Sequence, residues 1–256
     1  MVMKRSIRAT LLAIATAALL AAPAFAAPRQ YGTMTFTSTT PRTPTGTSLH
    51  VFFQNPDDPT AKPYTVQNMV IHSPAGTQTD TTDFPQCHAT DAELLTIGPP
   101  ACPIDSYLGG GQAKSDQGPN SPQRYSWSDI SDFNNQDEVV GVAVNEDIAL
   151  IKNVDRSKYD YRNGTLTSTF PLFPAVPEPP TMEPYTPIAE LQIHFPAHVD
   201  VLGHAYSATP STCPPERHWT FVIDFIYRDG VTQSITSESP CSGPAGSPDG
   251  QPRALR

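Results

Sequence analysis

The sequence predicts an all-β protein, a single β-sandwich of the jelly-roll or immunoglobulin-like kind with long proline-rich loops and one short helical turn. Its 29 prolines among 256 residues oppose long helices. Charged residues make up only 16% of the chain, so a long, solvent-exposed charged helix is not indicated. About eleven short stretches carry apolar residues at alternate positions and are separated by turn residues, which is typical of a sandwich.

The start of the chain has the features of a secretion signal. Basic residues head it, and the apolar run at 10–22 that follows is too short to span a bilayer. Ala24 and Ala26 form a small-x-small cleavage pattern, so we expect residues 1–26 to be removed and the mature protein to start at Ala27. The expected location is extracellular, with no membrane anchor after cleavage.

The charge of the mature chain excludes some partners. Removal of the signal would take away three positive charges and no negative ones, so the net charge would fall from −9 to about −12. So acidic a protein is a poor partner for nucleic acid or an anionic membrane. The length fits one β domain at 27–242, followed by a Gly-, Pro- and Ser-rich tail at 243–256 that we expect to be disordered.

Four cysteines in an exported protein predict two disulfides. Three pairings are possible, and we favour Cys87–Cys102 with Cys213–Cys241 because the members of each pair are close in sequence. Each closure would contribute roughly 3 kcal/mol by the loop-entropy estimate. A four-cysteine metal site would need cysteines paired at two-to-four-residue spacing, and the sequence has none.

The clearest element is a β-hairpin near the C-terminal end. Its first strand places five large apolar side chains on one face by strict alternation: Trp219, Phe221, Ile223, Phe225 and Tyr227. A three-residue loop at 228–230 would pair Phe225 with Gln233 and Ile223 with Ile235, which brings the apolar sets together. Gly230 would then take the left-handed position of a bulged turn.

The remaining elements are expected in the following order. Strands are predicted at 33–38, 47–54, 64–72, 139–144, 148–154, 159–161, 166–170, 188–195 and 199–205, and one strand follows Cys102. Thr90 with Glu93 three residues on is a capping box, so a short helical turn should begin there. The stretch 115–135 is polar and turn-rich, and 171–187 should be an extended, polyproline-like connection.

Two groups of residues carry ligand atoms for metals. His194, His198, Asp200 and His204 are weak candidates for a transition-metal site, since residues two or four apart on a strand share a face. The alternative is hydrogen-bonded surface histidines. An oxygen-rich group could suit calcium, but its spacing differs from the regular twelve-residue loop and a solvated acidic loop is the alternative. It consists of Asp129, Asp132, Asn134, Asn135, Asp137 and Glu138.

No catalytic motif stands out, and no cofactor is predicted. The chain lacks Gly-x-Ser-x-Gly. Asp224 lies in the apolar hairpin strand, where a carboxylate needs a partner, and a salt bridge to Arg or Lys would explain it. Several aromatic residues could line a sugar-binding face, although sheet packing explains them equally well. They are Tyr107, Tyr125, Trp127, Tyr159, Tyr161 and Tyr185.

Two segments carry a resemblance. Phe84-Pro85-Gln86-Cys87 with Ala101-Cys102-Pro103-x-x-Ser106-x-x-Gly109 forms the first, and Thr209-Pro210-x-x-Cys213-Pro214 with Trp219-Thr220, Tyr227-x-Asp229-Gly230 and Pro240-Cys241 forms the second. Together they resemble a family of exported β-rich proteins of high-GC Gram-positive bacteria. The resemblance covers about a third of the mature chain. It implies export and the same cysteine pairing, and it brings no catalytic residues.

Two hypotheses for function follow. The favoured one is a non-catalytic exported protein that binds an extracellular glycan, an envelope component or another protein, and it predicts an aromatic patch without buried carboxylate pairs. The alternative is an extracellular polysaccharide hydrolase or lyase, which predicts a long groove with two carboxylates or a His–Tyr pair converging in it. That alternative depends on fold analogy.

Overall fold

The structure is a computed structural model that describes residues 27–145, 147, 151–175 and 182–243. The predicted signal peptide and the tail from residue 244 onwards lie outside the described residues. The strands are β1 (Gln30–Phe36), β2 (Thr47–Phe53), β3 (Val66–His72), β4 (Gln78–Thr79), β5 (Tyr107–Asp116), β6 (Tyr125–Asn135), β7 (Glu138–Asn145), β8 (Ile151–Asp160), β9 (Thr165–Thr169), β10 (Ile188–Phe195), β11 (Ser207–Ala208), β12 (His218–Tyr227) and β13 (Thr232–Pro240). The α-helix is α1 (Asp91–Ile97).

The protein is all-β, as predicted, but its strands form one large antiparallel sheet in place of two facing sheets. Eleven strands are hydrogen-bonded in the order β1-β2-β10-β5-β6-β7-β8-β9-β3-β12-β13, and β4 and β11 form a separate two-stranded sheet. The large sheet curls until β1 lies beside β13, so it is nearly closed and barrel-like. Its inward-facing side chains meet across a common interior.

Side chains of β13 join the two edges of the large sheet. The Ser237 hydroxyl accepts from the Met34 backbone N–H at 2.8 Å and donates to the Met34 carbonyl oxygen at 2.8 Å. Ser239 accepts from the Phe36 backbone N–H at 2.9 Å. The serine hydroxyls thus take the place of a backbone partner for β1, and we call this line of contacts the seam.

The β12–β13 hairpin has the predicted register. Ile223 is opposite Ile235 and Phe225 is opposite Gln233. Gly230 has φ +83°, a left-handed conformation that glycine adopts without a steric penalty. Beyond the open end of the hairpin, the disulfide between Cys213 and Cys241 is present as predicted.

The three successive glycines of β5 allow unusually close strand packing. A Cβ on Gly110 would lie 2.0 Å from the Ile130 carbonyl oxygen of β6, and a Cβ on Gly111 would lie 1.8 Å from the Gln192 carbonyl oxygen of β10. The sequence predicted a bulged or closely packed strand at this point, and the register of β5 against β6 also shifts between Tyr107 and Gly109. The glycines serve packing in this sheet.

A short layer covers the outside of β6, β7 and β8. Thr90 caps α1 in a capping box with Glu93, as predicted. Leu94 of the helix is fully buried and packs with Val140 and Val142 on the outer face of β7. The Cys87–Cys102 disulfide, also predicted, belongs to the same buried cluster. Because this cover shields the outer face of β7, Val140 and Val142 are buried on that face, whereas Val139, Gly141 and Ala143 face inward.

Two segments differ from their prediction. The stretch 115–135 contains the long strand β6, although it was expected to be polar loop. Residues 199–205 were expected to form a strand but make a turn closed by a single bridge between Val199 and Ala205. Within the part of the chain that the structure describes, no helix combines the length and apolar character needed to cross a membrane.

Candidate functional site

The interior of the large sheet has two chemically different walls around a cavity of about 210 Å³. The apolar wall comes from β1, β2, β3, β10 and β12, and it includes Met34, Leu49, Ile71, Ile193 and Phe221. The polar wall comes from β6, β8 and β9, and it includes Ser128, Asp132, Asn153, Asp155, Ser157, Tyr159 and Ser168. A cavity with one apolar wall and one polar wall suits an amphipathic molecule.

Three residues in one row of the sheet form the centre of the polar wall. Asp132 of β6 is opposite Gly141 of β7, which in turn is opposite Asp155 of β8. A Cβ on Gly141 would lie 2.9 Å from Oδ1 of Asp132 and 3.7 Å from Cβ of Asp155. The glycine therefore leaves room between the two carboxyl groups, and both face the cavity.

Asp132 is buried without a hydrogen-bonding partner among the described residues. It is 7% exposed and lines the cavity. Burial, together with a smaller contribution from the charge of Asp155, raises the pKa of Asp132 to about 8. The carboxyl group is therefore mainly protonated at neutral pH. An acid in this state can both donate and accept a hydrogen bond.

Asp155 is better supported than Asp132. Its Oδ2 accepts from the Ser157 hydroxyl at 2.6 Å, and its Oδ1 accepts from the Thr169 backbone N–H at 3.2 Å. The Ser157 and Ser168 hydroxyl oxygens are 2.5 Å apart. Burial raises the pKa of Asp155, and the hydrogen bonds oppose that shift. The polar wall thus combines a fixed carboxyl group with one that has no partner.

Two tyrosines stand beside the carboxyl pair at one end of the cavity. The hydroxyl oxygens of Tyr159 and Tyr206 are 3.5 Å apart, and Tyr159 stacks on Tyr161 with ring centroids 5.6 Å apart. Burial raises the pKa of Tyr159 to about 12, and it raises the pKa of Tyr206 well above its usual value. The charge of Asp132 acts in the same direction on both phenols. Both rings therefore remain neutral hydrogen-bonding groups.

The predicted histidine site does not converge within the described chain. His194 Nδ1 lies 2.8 Å from the Ser48 hydroxyl, whereas His198 Nε2 lies 2.7 Å from the Leu108 carbonyl oxygen. Only Asp200 and His204 meet, with His204 Nδ1 at 3.2 Å from the Asp200 carboxylate. No group of three or more His, Cys, Asp or Glu side chains in the described residues could hold a metal ion. Pro196 and the following turn separate the candidates.

The acidic stretch proposed for calcium is divided by strand alternation. Asp129 points outward and accepts from Gln112 Nε2 at 2.8 Å. Asn134 is fully buried, and its side-chain amide donates to the Thr81 carbonyl oxygen at 3.0 Å. Glu138 forms a salt bridge with Arg156 at 2.6 Å. Of these residues only Asp132 lines the cavity, and neither the calcium cluster nor the solvated loop expected in its place is present.

The carboxylates of Glu190 on β10 and Asp224 on β12 lie on the outer face of the sheet. His72 Nε2 is 2.9 Å from the Asp224 carboxylate, so the partner of Asp224 is a histidine and a serine instead of the expected Arg or Lys. His50 Nε2 is 2.9 Å from Glu190. The two pairs lie on different strand pairs, β2 with β10 and β3 with β12, and β1 and β13 separate these strand pairs across the seam.

The aromatic residues expected to form a sugar-binding face are distributed over several places. Lys114 Nζ lies 4.3 Å from the ring centroid of Tyr125 and 5.5 Å from that of Trp127, so a cation occupies the space over both rings. Tyr107 packs on Phe133, and Arg228 lies over the Tyr185 ring. Tyr159 and Tyr161 belong to the cavity end. The six predicted residues thus form no shared platform of open rings.

The cavity residues were largely missed from the sequence, although a signal for them exists. Asn153, Asp155, Ser157 and Tyr159 alternate at period two along β8, which is the pattern of one strand face. The same face of β6 carries Ser128, Ile130 and Asp132, of which two are polar. Comparisons with protein-family models, curated proteins and solved structures find no match for this chain. The interpretation therefore rests on the geometry of the site.

Proposed function

We propose that this chain is an exported, non-catalytic binding protein that holds a small amphipathic molecule in the interior of its sheet. The observation that carries the proposal is Asp132, a carboxyl group without a partner that faces an apolar wall across a cavity. Burying an unpaired polar group costs stability. Local features that conflict with stability are concentrated at functional sites.

The size of the cavity limits the ligand. A volume of about 210 Å³ is smaller than the roughly 300–1,000 Å³ of sites for drug-sized molecules. A single small molecule fits this space, whereas a folded protein or a polysaccharide chain does not. Among the ligand classes predicted from the sequence, a small envelope component is therefore favoured over a glycan or a protein.

Export and the family resemblance remain part of the proposal. Two disulfides suit an oxidising compartment outside the cytosol. The basic, then apolar, start of the chain supports secretion. The paired-cysteine motifs around Cys87–Cys102 and Cys213–Cys241 support membership of the family of exported β-rich proteins of high-GC Gram-positive bacteria.

A hydrolase is the second candidate, and the buried carboxyl pair of Asp132 and Asp155 is the observation in its favour, because the hypothesis of a non-catalytic binder predicts no such pair. Glycosidases use one protonated and one ionised carboxyl group on either side of the scissile bond. Asp132, with its pKa of about 8, is a suitable acid, and Asp155 faces the same cavity. The hydrolase hypothesis predicts a long groove, however, whereas Asp132 and Asp155 lie inside the sheet. The substrate of such a hydrolase would therefore be a small glycoside instead of a polysaccharide.

The binding proposal can be tested by protein NMR with a set of small amines, alcohols, acids and sugars. We expect at least one compound to shift amide signals on both walls, such as those of Leu49 and Gly141. Ala143 lines the cavity, so Ala143→Leu should abolish this binding by filling space. Thr236→Leu on the exposed face of β13 is the matched control and should leave binding unchanged. Shifts confined to the outer surface would contradict the proposal, and turnover of a bound glycoside would favour the hydrolase.

A further inference from the structure

The charge of the cavity points to the chemistry of its ligand. Two carboxyl groups line the cavity, and no Lys, Arg or His is found among its described lining residues. Elsewhere the protein pairs a buried carboxylate with a cation: Asp116 is 1% exposed and forms a salt bridge with Arg124 at 2.9 Å. Asp132 differs from Asp116, because no Lys, Arg or His among the described residues forms a salt bridge with it.

The geometry provides a place for a positive group. Asp132 and Asp155 belong to strands separated only by β7, so their backbones are roughly 10 Å apart. Gly141 between them has no side chain, which leaves a gap that a Cβ would reduce. Hydroxyl groups of Ser157 and Tyr159 face the same space. An ammonium group carries three donors, and carboxylate and hydroxyl oxygens are acceptors for them.

From these observations we propose that the molecule bound in the cavity is an organic ammonium ion with an apolar tail, held by Asp132 and Asp155 at its head and by the apolar wall along its tail. This inference rests on the proposed function. Charge-assisted hydrogen bonds from the ammonium group would satisfy Asp132. Leu49, Ile193 and Phe221 on the opposite wall would shield the tail from water.

Two other ligands fit the site less well. A calcium or magnesium ion takes about six or more oxygen ligands, and the described residues contain no group of three acidic or metal-binding side chains. Such an ion would also leave the apolar wall without a partner. A neutral alcohol or sugar would satisfy the hydroxyl groups but would leave the carboxyl groups uncompensated when they ionise.

The inference is tested with hexylamine and hexanol, which differ only in the head group. An alkylamine remains protonated at neutral pH, since its pKa is close to the value of about 10.4 for lysine. Because the pKa of Asp132 is about 8, its ionised fraction rises steeply between about pH 6 and about pH 8. Hexylamine should therefore bind more tightly at the higher pH, by up to about fiftyfold. The affinity for hexanol should not rise.

Matched variants locate the effect at the cavity. Asp132→Asn should weaken hexylamine binding at least about tenfold at about pH 8 and remove most of its pH dependence, because the amide carries no charge. Asp129→Asn is the control, since Asp129 lies on the same strand but points outward. Titration calorimetry gives the affinities, and thermal unfolding confirms that each variant is folded.

The outcomes separate the inference from the proposal that it rests on. Binding of hexanol but not of hexylamine would overturn the ammonium ligand and leave the small-molecule site intact. Equal hexylamine affinity in Asp132→Asn and the parent protein would also overturn it. Binding of calcium to the parent protein but not to Asp132→Asn would show that the ligand is a metal ion, and would overturn the ammonium ligand. Failure of both compounds and of the whole NMR set would overturn both proposals.

Discussion

Asp132 is the residue at which the stability of the fold and the chemistry of the cavity conflict. Its pKa of about 8 in the folded protein compares with an ordinary value of 3.8. The folded state therefore binds more protons than the unfolded state between these two values. By linkage, the contribution of this group to stability is fully present below about pH 4 and is lost as the pH rises to about 8.

Replacing Asp132 by asparagine should stabilise the protein. The amide cannot ionise, so the loss of stability towards alkaline pH should largely disappear. With about 1.4 kcal/mol for each pKa unit, we expect the free energy of unfolding to rise by roughly 2–4 kcal/mol at about pH 8 and to change little at about pH 4. Urea denaturation at the two pH values measures this. Asp129→Asn should show no such pH-dependent gain, and a less stable Asp132→Asn at about pH 8 would contradict the interpretation.

Gly141 should tolerate a side chain only when Asp132 is shortened. Gly141→Ala would place its Cβ 2.9 Å from Oδ1 of Asp132, so we expect a loss of about 1–3 kcal/mol in the free energy of unfolding. In an Asp132→Ala background the clashing oxygen is absent, and the same change should cost much less. A double-mutant cycle by urea denaturation gives the coupling. If the two substitutions change the free energy of unfolding additively, the contact between the new Cβ and Asp132 is unimportant.

At the scale of elements, the sequence predicted those strands whose inward face is apolar. The β12–β13 hairpin could be assigned down to its register because five large side chains alternate on β12 and the loop contains Asp229-Gly230. Strand β6 was missed because its inward positions include Ser126, Ser128 and Asp132. Ser128 and Asp132 belong to the polar wall of the cavity. The alternation of apolar side chains that usually reveals a strand is therefore weak where the candidate site lies.

The seam depends on a few side chains, and Ser237 contributes most to it. Ser237→Ala would leave the buried N–H and carbonyl groups of Met34 without this partner, which should cost about 1–3 kcal/mol in the free energy of unfolding. Thr236→Ala is the control, because Thr236 is exposed on the outer face of the same strand. Denaturant unfolding of both variants measures the difference. Equal, small losses would mean that the seam contributes little.

At the scale of the whole molecule, the sequence predicted the all-β class and both disulfides but not the arrangement of the strands. The number and length of strands in a sandwich and in a nearly closed sheet are similar, so local patterns cannot distinguish them. The order of the sheet places β10 between β2 and β5 and places β3 between β9 and β12. These neighbours are distant in sequence, and their pairing depends on tertiary packing.

The topology and the prolines should make folding slow. The seam joins residues 203 positions apart in sequence, and long-range pairing of this kind delays folding. With 25 prolines between residues 27 and 242, fewer than about one in ten unfolded molecules keeps every proline bond in its native isomer. After long unfolding with disulfides intact, we expect most molecules to refold over tens of seconds or longer.

Double-jump experiments test this expectation. Brief unfolding should give a faster refolding phase of larger amplitude, and a prolyl isomerase should accelerate the slow phase after long unfolding. A slow phase whose amplitude does not depend on the unfolding time would contradict the role of proline.

The seam also affects how copies of the protein meet one another. An open sheet edge exposes rows of N–H and carbonyl groups that can pair with another chain, and natural proteins protect such edges. In this protein β1 and β13 cover each other, with serine hydroxyls occupying backbone groups that would otherwise be free. A variant with a weakened seam would expose two complementary edges at once. Edge-to-edge association between molecules would then compete with closure within one molecule, so the seam protects the protein against aggregation.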